Sequence, residues 1–148
     1  MSGLTRTGGR MREVKFRGKR ITGGRWLYGS LCITNWTSDK KKRYFIATGL
    51  GNYTFEHEVV PETVGQYTGL KDKNGKEIWE GDIVRYKYES KPAVIRFGEG
   101  FQGEPADGMY PYQGWYTDGW VYRFAFDGED MEVIGNIYEN SDLLEEEE

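Results

Sequence analysis

Glycine punctuates this chain again and again. Its 21 glycines fall between short runs rich in aromatic and β-branched residues, and no stretch of a dozen residues spaces its apolar side chains at the helical period. Glycine between such runs marks turns, because it reaches positive φ without steric cost. The chain is thereby restricted to short strands with tight connections. Five Trp and eleven Tyr fit that restriction: flat rings pack well on a pleated surface, and they must supply much of the core of a chain that is only 37% hydrophobic.

Alternation of polar and apolar residues predicts strands at 13–18, 26–33, 44–47, 55–60, 66–70, 77–79, 83–88, 93–97, 120–126 and 131–138. Gly29 inside the second of these marks a bulge or a close backbone approach. Gly23-Gly24, Ser90-Lys91-Pro92 and Asp127-Gly128 read as turns, and residues 39–43 as a basic tip. Asn74-Gly75 predicts a hairpin with a type I′ turn, which needs positive φ at both central residues. Residues 98–119 read as a long, acidic, aromatic-rich loop, and Asn140-Ser141-Asp142 as the cap of one closing helical turn at Leu143-Leu144. The expected fold is all-β: small, partly open barrels or a sandwich of short antiparallel strands, with an SH3-like element in the C-terminal half. Residues 1–10 are expected to be a disordered leader and 145–148 an acidic tail. Between them lies one β domain, 11–144, with subdomains at about 11–65 and 66–144.

The net charge of −4 conceals a polarity. Residues 1–91 hold 18 Lys and Arg against 10 Asp and Glu, a balance of +8, whereas residues 92–148 hold 2 against 14, a balance of −12. Such asymmetry can signal a nucleic-acid partner. The simpler reading is that the two halves attract each other, within a chain or between subunits. Cys32 and His57 are the single members of their kinds, so an intrachain disulfide is impossible and a Cys/His zinc site lacks ligands. No apolar run approaches the ~18 residues of a membrane span, and the basic N-terminus lacks the apolar stretch of a signal peptide. The expected location is the cytoplasm, with no membrane partner.

The run Gln66-Tyr67-Thr68-Gly69-Leu70-Lys71-Asp72-Lys73-Asn74-Gly75-Lys76-Glu77-Ile78-Trp79-Glu80-Gly81-Asp82-Ile83-Val84 resembles the YopX family of phages and bacterial prophages. Arg12-Glu13-Val14-Lys15-Phe16-Arg17-Gly18 and Trp26-Leu27-Tyr28-Gly29 resemble its N-terminal pattern, and Val133-Ile134-Gly135-Asn136-Ile137-Tyr138-Glu139-Asn140 its closing strand. The resemblance spans about residues 11–144, with variable stretches at 34–54 and 98–119. It implies an all-β accessory protein of phage biology whose biochemical role is unassigned. It supplies no catalytic or binding residues, and it implies a homo-oligomer that meets a phage or host macromolecule.

Each chemically suggestive cluster has a plainer explanation beside it. Gly98-Glu99-Gly100-Phe101-Gln102-Gly103 spells a dinucleotide-binding pattern, but Pro105 and Gly108 deny it the following helix that would hold a pyrophosphate. His57 between Glu56 and Glu58 has the makings of a general base; its only thiol partner, Cys32, lies in an apolar run. Glu77, Glu80 and Asp82 have the chemistry of a hydrolase or metal site, yet Asp after Gly suits turn chemistry. Lys40, Lys41, Lys42 and Arg43, with Trp36 and Tyr44 beside them, form a candidate nucleic-acid contact. Arg12, Lys15, Arg17, Lys19, Arg20 and Arg25 join it if the sheet gathers them. Tyr110, Tyr112, Trp115, Tyr116 and Trp120 form a candidate interface or lid. No enzyme activity, cofactor or metal is expected. The favoured function is a self-assembling interaction module; the alternative is binding of single-stranded nucleic acid or RNA.

Overall fold

The computed structural model describes residues 3–7, 10–35, 38–50, 52–104, 108–119 and 127–145. Antiparallel strands make up nearly all of the regular structure, with 3-10 turns at Pro61–Thr63 and Ser141–Leu144. The chain divides into two compact units, Met1–Gly69 and Leu70–Glu148.

The first unit contains β1 (Gly3–Thr7), β2 (Arg10–Val14), β3 (Phe16–Lys19), β4 (Trp26–Thr34), β5 (Arg43–Leu50), β6 (Tyr53–Val59) and most of β7 (Gly65–Lys71). Strands β6, β5, β4, β3 and β7 lie side by side in that order. The long β4 serves two partners. Its first half pairs with β3, from Phe16↔Gly29 to Lys19↔Trp26, and its second with β5, from Ser30↔Ala47 to Thr34↔Arg43. Gly29 sits at the handover, where a Cβ would overlap the carbonyl oxygen of Ala47. The sheet curls far enough for its β3 and β6 ends to touch: Val60 N–H donates to Lys19 O at 2.8 Å and Ile21 N–H to Glu58 O at 3.1 Å. This closure is one bridge, Arg20↔Val59, rather than a strand ladder. Cross-strand partners share a face, so Gly18, Leu27, Leu31, Ile46 and Val59 line the same side. Ile46 and Val59 are wholly buried there. Gly18 makes room for Val59, whose Cγ2 would lie 2.9 Å from an added Cβ.

The second unit holds β8 (Glu77–Trp79), β9 (Asp82–Tyr86), β10 (Ala93–Glu104), β11 (Gly108–Asp118) and β12 (Met131–Asn136), with a sheet in the order β11-β10-β9-β12. Among the described residues this sheet is open, with β11 and β12 at its edges. Ile78, Val84, Ala93, Ile95, Met131 and Val133 form its core, with Leu70, Tyr86 and Trp115 packed against them. A bulge at Ile134 shifts the β9–β12 register between Val133 and Gly135. The closing turn forms at Ser141–Leu144 with Asn140 at its N-cap position, where its carbonyl accepts the Leu143 N–H at 2.9 Å; its side chain makes no capping bond, and its Oδ1 accepts the Asn136 N–H at 3.2 Å instead.

Several expectations need correction. Of the loop expected at 98–119, residues 98–104 and 108–118 are strands: β10 and β11 pair without a break from Val94↔Asp118 to Glu104↔Gly108, and residues 105–107 lie outside the described residues. Glycine and proline depress strand propensity there, but backbone pairing and cross-strand aromatic packing override it. The turn at Asn74-Gly75 is not type I′. Only Gly75 has positive φ, at 81°, and its N–H donates to Asp72 O at 3.0 Å while Asp72 N–H donates to Lys76 O at 2.7 Å. One left-handed residue suffices in this longer connection. Residues 3–7 and 10, expected in a disordered leader, pair as β1 and the start of β2, a backbone ladder that their polar sequence does not announce. The strand expected at 120–126 lies outside the described residues.

Candidate functional site

The basic tip is the turn between β4 and β5, and Asp39 organises it. One carboxylate oxygen accepts the Lys41 N–H at 3.1 Å and the other an Arg43 guanidinium N–H at 3.1 Å. Arg43 also lies 3.6 Å from Glu58, so its charge is largely balanced within the sheet. Lys40, the one non-glycine residue with positive φ among those described (53°), and Lys41 and Lys42 are exposed. Tyr44 is half-buried and sits opposite Ile33 and Val59. Trp36 lies outside the described residues.

The cations of β3, with Lys15 just before it, form a separate cluster. Lys15 lies over the Tyr67 ring at 4.9 Å, and Arg17 and Lys19 over Trp26 at 4.7 and 5.8 Å. Arg17 and Tyr67 are buried, so these rings cover cations instead of forming an open stacking platform. Thr34, the partner of Arg43, lies eight residue steps along β4 from Trp26, which is about 26 Å of strand. The sheet therefore keeps the two basic clusters apart.

The aromatic residues of 97–119 are sorted by the period of two. Phe97 pairs with Trp115 on one face of the β10–β11 hairpin, their rings edge-to-face at 5.0 Å. Tyr110, Tyr112 and Tyr116 share the other face with Gly98 and Gly114. An added Cβ on Gly114 would stand 3.0 Å from Tyr112, so small residues give the rings their space. Tyr110 is 67% and Phe97 58% exposed, whereas Tyr116 is buried at the base. The Tyr112 hydroxyl donates to Trp115 O. Burial, with the neighbouring Tyr116 second, raises the Tyr112 phenol above its ordinary pKa. Strand β9 meets β10 only at Ala93 and Val94. Among the described residues, the seven pairs from Gly98↔Gly114 to Glu104↔Gly108 have no third strand beside them, and this arm is about 20 Å long. Trp120 lies outside the described residues.

The remaining clusters are taken apart by the fold. Asp82 is buried and its carboxylate accepts the Trp79 N–H at 2.8 Å, closing a turn. His57 faces the same side as Ile46, while Cys32, paired with Phe45, faces the opposite side, so base and thiol are on different faces of the sheet. The glycine pattern at 98–103 lies inside β10, in a strand where a dinucleotide site needs a loop and helix. Among the described residues no three His, Cys, Asp or Glu side chains gather as a metal site. At the base of the hairpin, Arg96 pairs with Asp118 at 2.9 Å beside a recess of about 390 Å³ that also reaches Lys91 and Leu144.

Asp72 was missed by the sequence reading of candidate residues. Its carboxylate accepts three backbone N–H groups, from Asn74 at 2.8 Å, Lys76 at 2.9 Å and Val133 at 2.9 Å. Burial pushes its pKa up, but these bonds together with Lys76 outweigh burial and hold it below the ordinary value. The Asp-x-Asn-Gly spacing could have signalled the local half of this arrangement.

Antiparallel sheets and an exposed aromatic hairpin among the described residues define an all-β protein. Residues 15–145 match the family described as YopX protein, and the chain belongs to the YopX family. No curated protein matches it. Among solved structures it is similar to the crystal structure of protein EF1440 from Enterococcus faecalis, with 23% identity, a TM-score of 0.46, and coverage of 89% of this chain and 98% of that one. Among the described residues no helix is long and apolar enough to cross a membrane.

Proposed function

We propose that this chain is a non-enzymatic interaction module of a phage or prophage that works in the host cytoplasm, assembles with itself and binds a phage or host macromolecule. The observation that carries this reading is the β10–β11 arm. A two-stranded hairpin is marginally stable alone in water. Among the described residues this one extends past its sheet with aromatic side chains on both faces, a composition that favours burial against a partner. The dispersal of His57, Cys32, Asp82 and the glycine pattern supports a role without catalysis.

Sedimentation velocity over a range of concentrations tests the reading. The native chain is expected to self-associate at micromolar concentration. Excising residues 99–113 and joining Gly98 to Gly114 through Asn-Gly is expected to abolish association. The excision removes none of the core residues, so Tm should move by no more than about 5 °C, or roughly 1 kcal/mol. A native chain that stays monomeric throughout would overturn the proposal.

The exposed Lys40, Lys41 and Lys42 favour a second reading, electrostatic binding of nucleic acid. It expects a gel shift at low salt that Lys41→Ala and Lys42→Ala weaken; no shift with single- or double-stranded probes would end it.

A further inference from the structure

Two projecting parts of the chain carry opposite charge. From Phe97 to Gly119 the sequence contains no Lys or Arg and four carboxylates, Glu99, Glu104, Asp107 and Asp118. Asp118 is balanced by Arg96 at the base, and Glu99 is exposed on β10, so the described part of the arm presents acid to solvent. The β4–β5 tip presents Lys40, Lys41 and Lys42 to solvent, while Arg43 is occupied by Asp39 and Glu58. The two units repeat these signs on a larger scale. Residues 1–69 hold 12 basic and 5 acidic side chains, a balance of +7, and residues 70–148 hold 8 and 19, a balance of −11.

We propose that the β10–β11 arm of one copy docks against the Lys40–Lys42 tip of a second copy. The inference rests on the self-assembly reading above and names its contact. Arm against arm sets carboxylate on carboxylate, and tip against tip sets ammonium on ammonium; both arrangements repel. Arm against tip brings lysine ammonium groups to carboxylates and to exposed tyrosine and phenylalanine rings, whose faces attract cations. The apolar stems of the lysines lie against the same rings. Because the two surfaces differ, the contact is either heterologous and closes a ring, or isologous, with each copy's arm on the other's tip across a two-fold axis.

Charge reversal tests the contact without touching a core residue. One variant carries Lys41→Glu and Lys42→Glu; the other carries Glu99→Lys and Glu104→Lys. Circular dichroism melts establish that both are folded. Each variant alone is expected to associate at least tenfold more weakly than the native chain in sedimentation velocity. An equimolar mixture is expected to regain association, because the acidic tip then meets the basic arm and the native arm meets the native tip. If each variant assembles as tightly as the native chain, the arm–tip contact is wrong while self-assembly stands. If the native chain is monomeric, both readings fall. If nuclease treatment dissolves the assembly and added RNA or DNA restores it, the tip serves nucleic acid and the proposal is overturned.

Discussion

Asp72 ties the Asn74-Gly75 turn to a strand 61 residues further on, through its bond to Val133. A buried carboxylate that accepts three N–H groups leaves all three unpaired when it is lost, and the penalty is concentrated at one residue. Asp72→Ala is therefore expected to destabilise the fold by about 2–4 kcal/mol in urea titration, near the upper end for point substitutions. The pH dependence has a definite sign. The folded pKa is depressed below the ordinary carboxylate value, so the carboxylate's contribution is fully present above the unfolded pKa. It is lost as pH falls through the folded value. The native chain should lose stability on acidification below about pH 4 by more than Asp72→Asn does, when urea midpoints are compared at pH 6 and pH 3. The local half of this arrangement is legible, since Asp two residues before Asn bonds its own backbone. The bond to Val133 is not, because nothing in a linear sequence reports which distant N–H will arrive.

Strands announced themselves where side chains alternate and stayed hidden where the backbone alone makes them. Trp26–Thr34, Tyr53–Val59 and Glu77–Trp79 appear where apolar periodicity places them. The central stretch of β10 does not, because Gly98, Gly100 and Gly103 leave no alternating pattern to read. Gly29 is an intermediate case: the sequence marks it as a close approach, and the fold supplies the reason in the Ala47 carbonyl. Gly29→Ala is expected to push β4 from β5 and cost about 1–3 kcal/mol, the range for overpacking. Hydrogen exchange should then speed up in residues 43–50 more than in 131–136. Equal acceleration in both segments would show that the glycine does not act through this contact.

Across the whole chain, charge is distributed by position more strongly than by amount. That polarity was fully legible, since it needs only counting, and its use was not, since counting does not say which groups project. Lys40–Lys42 stand at a turn while Arg17 is buried under Trp26, a distinction made by strand register. An assembly held by exposed opposite charges weakens with salt, because the Debye length falls from about 14 Å to about 4 Å between 0.05 and 0.5 M. The apparent Kd of self-association is expected to rise at least tenfold over that range; a constant or falling Kd would assign the contact to its aromatic rings. The lack of basic residues in the hairpin also divides the molecule between two proteases. Trypsin cuts after Arg96 and next after Arg123, so it releases 97–123 as one peptide of 27 residues, yet it meets four consecutive sites at Lys40, Lys41, Lys42 and Arg43. Chymotrypsin reads the aromatic arm instead, through exposed Phe97 and Tyr110, along with exposed rings elsewhere such as Tyr53 and Tyr88. Digestion of the native protein, dilute and then concentrated, thus reports the tip through its tryptic cuts and the arm through its chymotryptic ones.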